Sequence, residues 1–219
     1  MYEFLMIFSY FLIYSVIGWV IDTVDIYIQS KKLMNRGFLI GPYCPVYGVS
    51  CIIMLAFLKK YIDDPLILFI VAIFICTITE YITSFILEKL FKARWWDYSH
   101  MPFNVNGRIC LLNSILFGIG GIVLLYLLHP TISSLLTMIP KTIFIFIMII
   151  ILILFIIDVI ISFNIISKLE KNINNIRKDS TEEIHKSIKE ILKNSSHLTK
   201  RIIKAFPDFI RNFGNRKKL

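Results

Sequence analysis

No phosphate-binding loop of the form G-x-x-x-x-G-K-[ST] occurs among the nine glycines of this chain, so it carries no P-loop for ATP hydrolysis. Gly-x-Ser-x-Gly, His-Glu-x-x-His and Ser-His-Asp patterns are missing as well, and of the four histidines only His100 lies near a polar loop. No catalytic set can be assembled, and a role other than catalysis is the first expectation. Cysteine is sparse: Cys44, Cys51, Cys76 and Cys110 show no C-x-x-C spacing and sit in or beside apolar runs, which argues against a zinc site or a disulfide framework. They read as small buried apolar residues, and neither a metal nor a cofactor is expected. Charged residues make up only 18% of the 219 residues against 57% hydrophobic ones, with a mean hydropathy of +0.72. That excludes a water-soluble globule, because a domain of this size cannot hide so much apolar surface.

The little charge there is falls unevenly. Residues 1–167 hold ten Lys/Arg and nine Asp/Glu, whereas residues 168–219 hold fourteen and six, so +8 of the net +9 sits at the end of the chain. Two regions follow: a transmembrane helical domain over 1–167 and a basic tail over 168–219. In the tail, Leu169, Ile173, Ile176, Ile184, Ile188, Ile191, Leu198 and Ile202 recur at spacings of three, four and seven between lysines and arginines, the pattern of an amphipathic helix. Such a helix lies on anionic lipid or pairs with another helix. Nucleic acid is not the expected partner, since neither a recognised fold nor aromatic interleaving accompanies the charge.

Crossing a hydrocarbon core takes about 20 apolar residues. Five stretches qualify, roughly 4–28, 43–58, 66–88, 109–128 and 142–165, which predicts an all-α, multi-pass membrane protein. The first has no basic residues before it and no small-residue cleavage site after Trp19, so it reads as a retained span, not a signal peptide. The second is short and follows Gly41-Pro42, which allows a tilted or re-entrant segment; 131–139, between Pro130 and Pro140, reads as an interfacial connector. Five crossings put the loops after spans 1 and 3 on one side with the tail, and that side carries twenty-one Lys/Arg against three on the other. The positive-inside rule then predicts a cell-membrane protein with its N-terminus outside and its C-terminus in the cytoplasm.

Acidic residues interrupt three of these runs: Asp22 with Asp25, Glu80, and Asp158. An ionisable group at membrane depth is costly and marks a functional site by default. Asp22 and Asp25 lie near a span end, where an interfacial position competes with a functional one. Thr77 and Ser84 share a helical face with Glu80, predicting a polar face turned inwards. Asp158, within Ile-Ile-Asp-Val-Ile-Ile, is expected either to pair with a basic residue of another span or to stay protonated. In the first loop Gly37, Gly41, Pro42, Pro45 and Gly48 predict a fixed turn with close backbone approach. The second loop, 94–110, carries Trp95 and Trp96, which suit an interfacial belt. It also carries Asp97, Tyr98, Asn104, Asn106 and Arg108, which a belt does not explain and which can build a polar floor under the bundle. Arg108 opens span 4, where its guanidinium can reach Glu80 or Asp22, grip a lipid phosphate, or act as a basic anchor.

At these residues the chain resembles the CmpB-like ABC-transporter type IV membrane proteins, a bacterial family labelled as ABC transporter permeases. The resemblance rests on Gly18-Trp19 followed by Asp22, on the Gly-Pro-x-Cys-Pro-x-Tyr-Gly core from Gly41 to Gly48, on Glu80-Tyr81, on Trp95-Trp96-Asp97-Tyr98, and on Asn104 with Asn106 to Leu111. It covers roughly residues 8–128, and departs where Asp22 stands in place of an expected glutamate. It implies a multi-pass transport permease whose ATPase is a separate polypeptide. A homo-oligomer is open. In that reading Asp22, Tyr47, Glu80, Trp96, Asp97, Tyr98, Asn104, Asn106 and Arg108 line a polar cavity facing the cytoplasm. The alternative is a membrane-embedded enzyme acting on a lipid or isoprenoid headgroup, with Glu80 or Asp22 as base and Arg108 holding phosphate.

Overall fold

The computed structural model describes residues 1–31, 39–91 and 96–179, without the side chains of 29, 30, 91 and 169–179. Gly37, Trp95 and the tail beyond Asp179 lie outside the described residues. About 81% of the described residues are helical. Among the described residues six α-helices follow one another: α1 (Tyr2–Ser30), α2 (Pro45–Leu58), α3 (Pro65–Phe91), α4 (Leu111–Val123), α5 (His129–Thr137) and α6 (Lys141–Asp179), with a two-stranded hairpin, β1 (Asn104–Val105) and β2 (Ile109–Cys110), before α4.

Four of the expected five spans are long and apolar enough to cross a membrane: Tyr2–Ile28, Pro65–Leu90, Leu111–Thr137 and Lys141–Lys168. The remaining one is α2, whose 14 residues rise only about 21 Å at 1.5 Å per residue, short of a core about 30 Å thick. A second difference concerns residues 131–139, which are no separate connector. The helix of α4 runs on through a π-turn, Leu124–Leu128, into α5, and the His129 N–H bonds the Leu124 carbonyl five residues back. Proline cannot donate to the helical ladder and its ring crowds the carbonyl four residues before it. The wider π-turn immediately ahead of Pro130 absorbs that conflict and keeps the backbone hydrogen-bonded through the lipid zone.

Local chemistry fixes the ends of the elements. Asp64 caps α3, its carboxylate accepting the Leu66 and Ile67 N–H groups at 3.1 and 3.0 Å, while Pro65 sits at the first helical position, where an N–H is not needed. Lys31 closes α1 in the left-handed region at φ 56° and donates its N–H to the Tyr27 carbonyl.

Inside lipid, apolar surface gives no net drive to bring helices together, so association depends on close packing of small residues. Gly48 of α2 lies against the Phe11 carbonyl and the Ser15 hydroxyl of α1, and Gly18 of α1 lies under the ring of Tyr47, leaving no room for a Cβ at either glycine. Gly118 and Gly121 of α4 do the same against Phe69, Ile73 and Ala72 of α3. Two buried clusters result. One joins Tyr14, Met54, Leu58, Leu68, Ala72, Cys76, Leu124 and Leu125, and the other joins Leu5 and Phe8 to Phe144 and Met148.

The pairings give each helix its direction. Tyr2 meets Phe144, and Phe8 and Phe11 meet Phe155, so α1 and α6 run parallel. Ser114 meets Thr77 while Gly118 and Gly121 meet Ile73, Phe69 and Ala72 further back along α3, so α4 runs against α3. Met54 meets Cys76 with only residues 59–64 joining α2 to α3, so α2 runs against it too. The connections after α1 and α3 therefore emerge at the same end of the bundle, together with the end of α6. Both turn back inwards. The Cys44 N–H bonds the carbonyl of Ser15, halfway along α1, at 2.9 Å. Ser114, three residues into α4, sits level with Thr77 in the middle of α3.

Candidate functional site

Non-helical backbone at membrane depth survives only where its polar groups find partners within the protein. In the first re-entrant segment that partner is Asp158. Its carboxylate accepts the Ile40 N–H at 2.9 Å, the Gly41 N–H at 2.8 Å, the Ser162 hydroxyl at 2.8 Å and the Tyr43 hydroxyl. The expectation that Asp158 pairs with a basic residue is thus corrected: four donors, two of them backbone, occupy it. Burial and the bond to Asp158 hold the Tyr43 phenol above its ordinary range. With Pro42 and Pro45 bracketing it, this segment presents Cys44 and Tyr47 to α1. The Tyr47 hydroxyl donates to Asp22 Oδ1 at 2.6 Å.

The second segment is locked by its own hydrogen bonds. Asn106 and Gly107 both adopt left-handed backbone, φ 54° and 65°, and the Arg108 N–H returns to the Val105 carbonyl, a type I′ turn between β1 and β2. The Tyr98 N–H bonds the Gly107 carbonyl at 2.8 Å and Trp96 Nε1 bonds the Arg108 carbonyl at 2.9 Å. Asn104 donates to the Met101 carbonyl and accepts the Gly107 N–H, Asp97 accepts from the Ser99 N–H and hydroxyl, and Asn106 donates to the Tyr81 hydroxyl. Asn104 thus ties the loop to itself, while Asn106 ties it to α3.

Two side chains of this loop reach α3 at different heights. The Tyr98 hydroxyl donates to Glu80 Oε1 at 3.2 Å. Arg108 Nη1 pairs with Glu88 Oε2 at 2.6 Å, its guanidinium over the rings of Tyr81 and Phe85 at 5.6 and 5.5 Å. Sequence spacing pointed Arg108 towards Glu80 or Asp22; the tight turn at Asn106-Gly107 sends it to Glu88 instead. Burial, then the Glu80 charge and the hydrogen bond it accepts, then Cys110 and Asp22, keep the Tyr98 phenol protonated far above its usual range.

The site therefore has an inner and an outer part. Tyr47 with Asp22 and Tyr98 with Glu80 form two hydrogen-bonded pairs within the bundle, Cys44 lies one turn before Tyr47, and Trp96, Asp97, Asn104, Asn106 and Arg108 belong to the loop that carries Tyr98. Glu80 and Ser84 are buried on the inward face of α3, in line with the polar face read from their spacing. Cys44 belongs to the segment packed on α1, its N–H bonded to the Ser15 carbonyl, and should be alkylated by iodoacetamide at pH 8 more slowly than a free thiol. Mass spectrometry of its peptide over time would read this, and alkylation as fast as that of a free thiol would contradict it.

Sequence reasoning missed one polar group altogether. The Tyr14 hydroxyl meets His129 Nδ1 at 2.9 Å, Tyr10 packs edge-on against His129, and the Tyr10 hydroxyl donates to Ser133 at 3.0 Å, locking α1 to α5.

A family model described as Putative ABC-transporter type IV matches residues 9–163, more than half of the chain. The chain belongs to this family. Its match extends the resemblance seen over 8–128 through α5 into α6, and so takes in Asp158 and the segment it holds. As a member of the ABC-transporter type IV family with, among the described residues, four helices long and apolar enough to cross a membrane, the chain is a multi-pass membrane protein related to transport. No curated protein and no solved structure matches it.

Proposed function

We propose that this chain is the permease subunit of a transport system, with Asp22, Tyr47, Glu80 and Tyr98 as the substrate-handling group on its cytoplasmic side and residues 96–110 as the element that covers them. The observation that carries this reading is a polar cluster with two carboxylates, deep in a membrane-spanning bundle, closed by a loop whose backbone needs are met internally. Ionisable groups so placed are costly and mark substrate or ion pathways by default. The headgroup-enzyme alternative asks Arg108 to hold a phosphate, and in this arrangement it is held by Glu88 and stacked on two rings.

With no phosphate loop of its own, the permease takes its energy from a separate ATPase. The basic face of 168–219 meets anionic lipid beside that partner. Mild-detergent purification of the tagged chain from its native host should recover a polypeptide with a phosphate loop. If no ATP-binding partner is recovered, even with chemical cross-linking, the permease reading falls. The twenty-one to three distribution of Lys/Arg puts both re-entrant loops and the tail in the cytoplasm. A phosphatase that works only after export should be inactive when fused after Leu219, and activity there would reverse the orientation.

A further inference from the structure

The phenol hydrogens beside the two carboxylates are already spent: Tyr98 gives its one hydrogen to Glu80 and Tyr47 gives its to Asp22. What remains at the Tyr98–Glu80 pair is acceptors, the phenol lone pairs and the second oxygen of Glu80. Among these Glu80 Oε2 stands out: the residue is 7% exposed, and this oxygen is buried with no hydrogen-bond partner. Among the described residues no cation pairs with Glu80, and Arg108 is committed to Glu88. A buried carboxylate oxygen left without a donor costs free energy, and a transport site keeps such a group where its cargo supplies the donor. A metal ion fits poorly, since no three His, Cys, Asp or Glu of the described residues stand together as ligands.

We propose that Glu80 Oε2 is the docking point for a primary ammonium group, so that the cargo of this site is a small organic cation bearing N–H donors. The inference rests on the transport reading above and names the substrate class. An ammonium brings three donors and one positive charge, complementary to a buried carboxyl oxygen that has no donor and to the phenol lone pairs beside it. Tyr98 and Tyr47 then act as positioning residues. Tyr98 holds Glu80 by one oxygen, Tyr47 bonds Asp22, and the phenol lone pairs can take further N–H groups.

The test uses the full chain in detergent at fixed pH and ionic strength, titrated with n-butylammonium, tetramethylammonium or sodium chloride. Melting temperature and tryptophan fluorescence are the readouts. A saturable response to n-butylammonium is expected, with none to tetramethylammonium, which has the charge but no N–H, and none to sodium. Glu80→Gln keeps the shape of the side chain but presents an amide, and should bind n-butylammonium at least tenfold more weakly. Equal responses to the ammonium ions, or unchanged binding by Glu80→Gln, would overturn the proposal. Should that variant not fold, the contrast between the two ammonium ions on the parent protein still decides. An ATPase that co-purifies with a chain indifferent to n-butylammonium sinks this inference and spares the permease reading. Binding without an ATPase partner does the reverse.

Discussion

Asp158→Ala is expected to destabilise the chain by at least about 3 kcal/mol, because each buried donor left without an acceptor costs about 1–3 kcal/mol and four are orphaned together. Two of the donors, Ile40 and Gly41, are backbone groups of a non-helical stretch with no helical ladder to fall back on, so only water reaching them could take the place of the carboxylate. Asp158→Asn should fall between the alanine variant and the parent. Its amide keeps one acceptor oxygen but turns an N–H₂ towards donors, and of these only the Tyr43 and Ser162 hydroxyls can rotate to accept. Tyr43→Phe removes a single bond and should cost about 1 kcal/mol. Thermal unfolding in detergent would rank the three variants, and amide hydrogen exchange at Ile40 and Gly41 should accelerate in Asp158→Ala before the rest of the bundle opens. An alanine variant that melts like the parent would show that the carboxylate does not hold this segment.

Asp158 also shows where reading the sequence stops. That an ionisable residue in Ile-Ile-Asp-Val-Ile-Ile has a purpose was legible from its cost alone. Its partners were not, because they are backbone N–H groups some 117 residues away, and backbone donors leave no trace in composition or periodicity. The same division runs through the fold. Long apolar runs gave away α1, α3, α4 and α6, whose lengths the bilayer dictates. Their inward-turning connections were visible only as glycine and proline punctuation. Pro130 misled in the opposite sense: a proline reads as a break, yet one π-turn let the helix continue. The hairpin could have been found, since Asn106-Gly107 is the residue pair that a type I′ turn demands. With it, the redirection of Arg108 away from Glu80 would have followed. Glu80 itself, with Thr77 and Ser84 on one face, was readable because helical spacing carries that information directly.

Arg108→Ala is expected to be about as damaging as the loss of Asp158, for a different reason. Its side chain is 12% exposed and that of Glu88 23%, so the ion pair is largely withdrawn from water. Removing one member of such a pair costs about 3–5 kcal/mol when burial is complete and the other charge is left alone. The partial exposure of Glu88 and its further contacts put this pair at the lower end, and the lost stacking on Tyr81 and Phe85 adds about 1 kcal/mol. Arg108→Lys should recover only part of the loss, because an ammonium lacks the planar fork that serves a carboxylate and two rings together. If stranded charge is the cause, Arg108→Met combined with Glu88→Met should be closer to the parent than Arg108→Ala alone, since apolar residues of similar volume replace a buried pair at little cost. Trp96 gives an independent reading, because its indole N–H holds the carbonyl of Arg108 and its fluorescence follows any displacement of the hairpin. The single alanine variant should redden the tryptophan emission while the double methionine variant leaves it in place. A double variant as unstable as the sum of its single changes would show that the two residues act separately and that the pair does not close the loop.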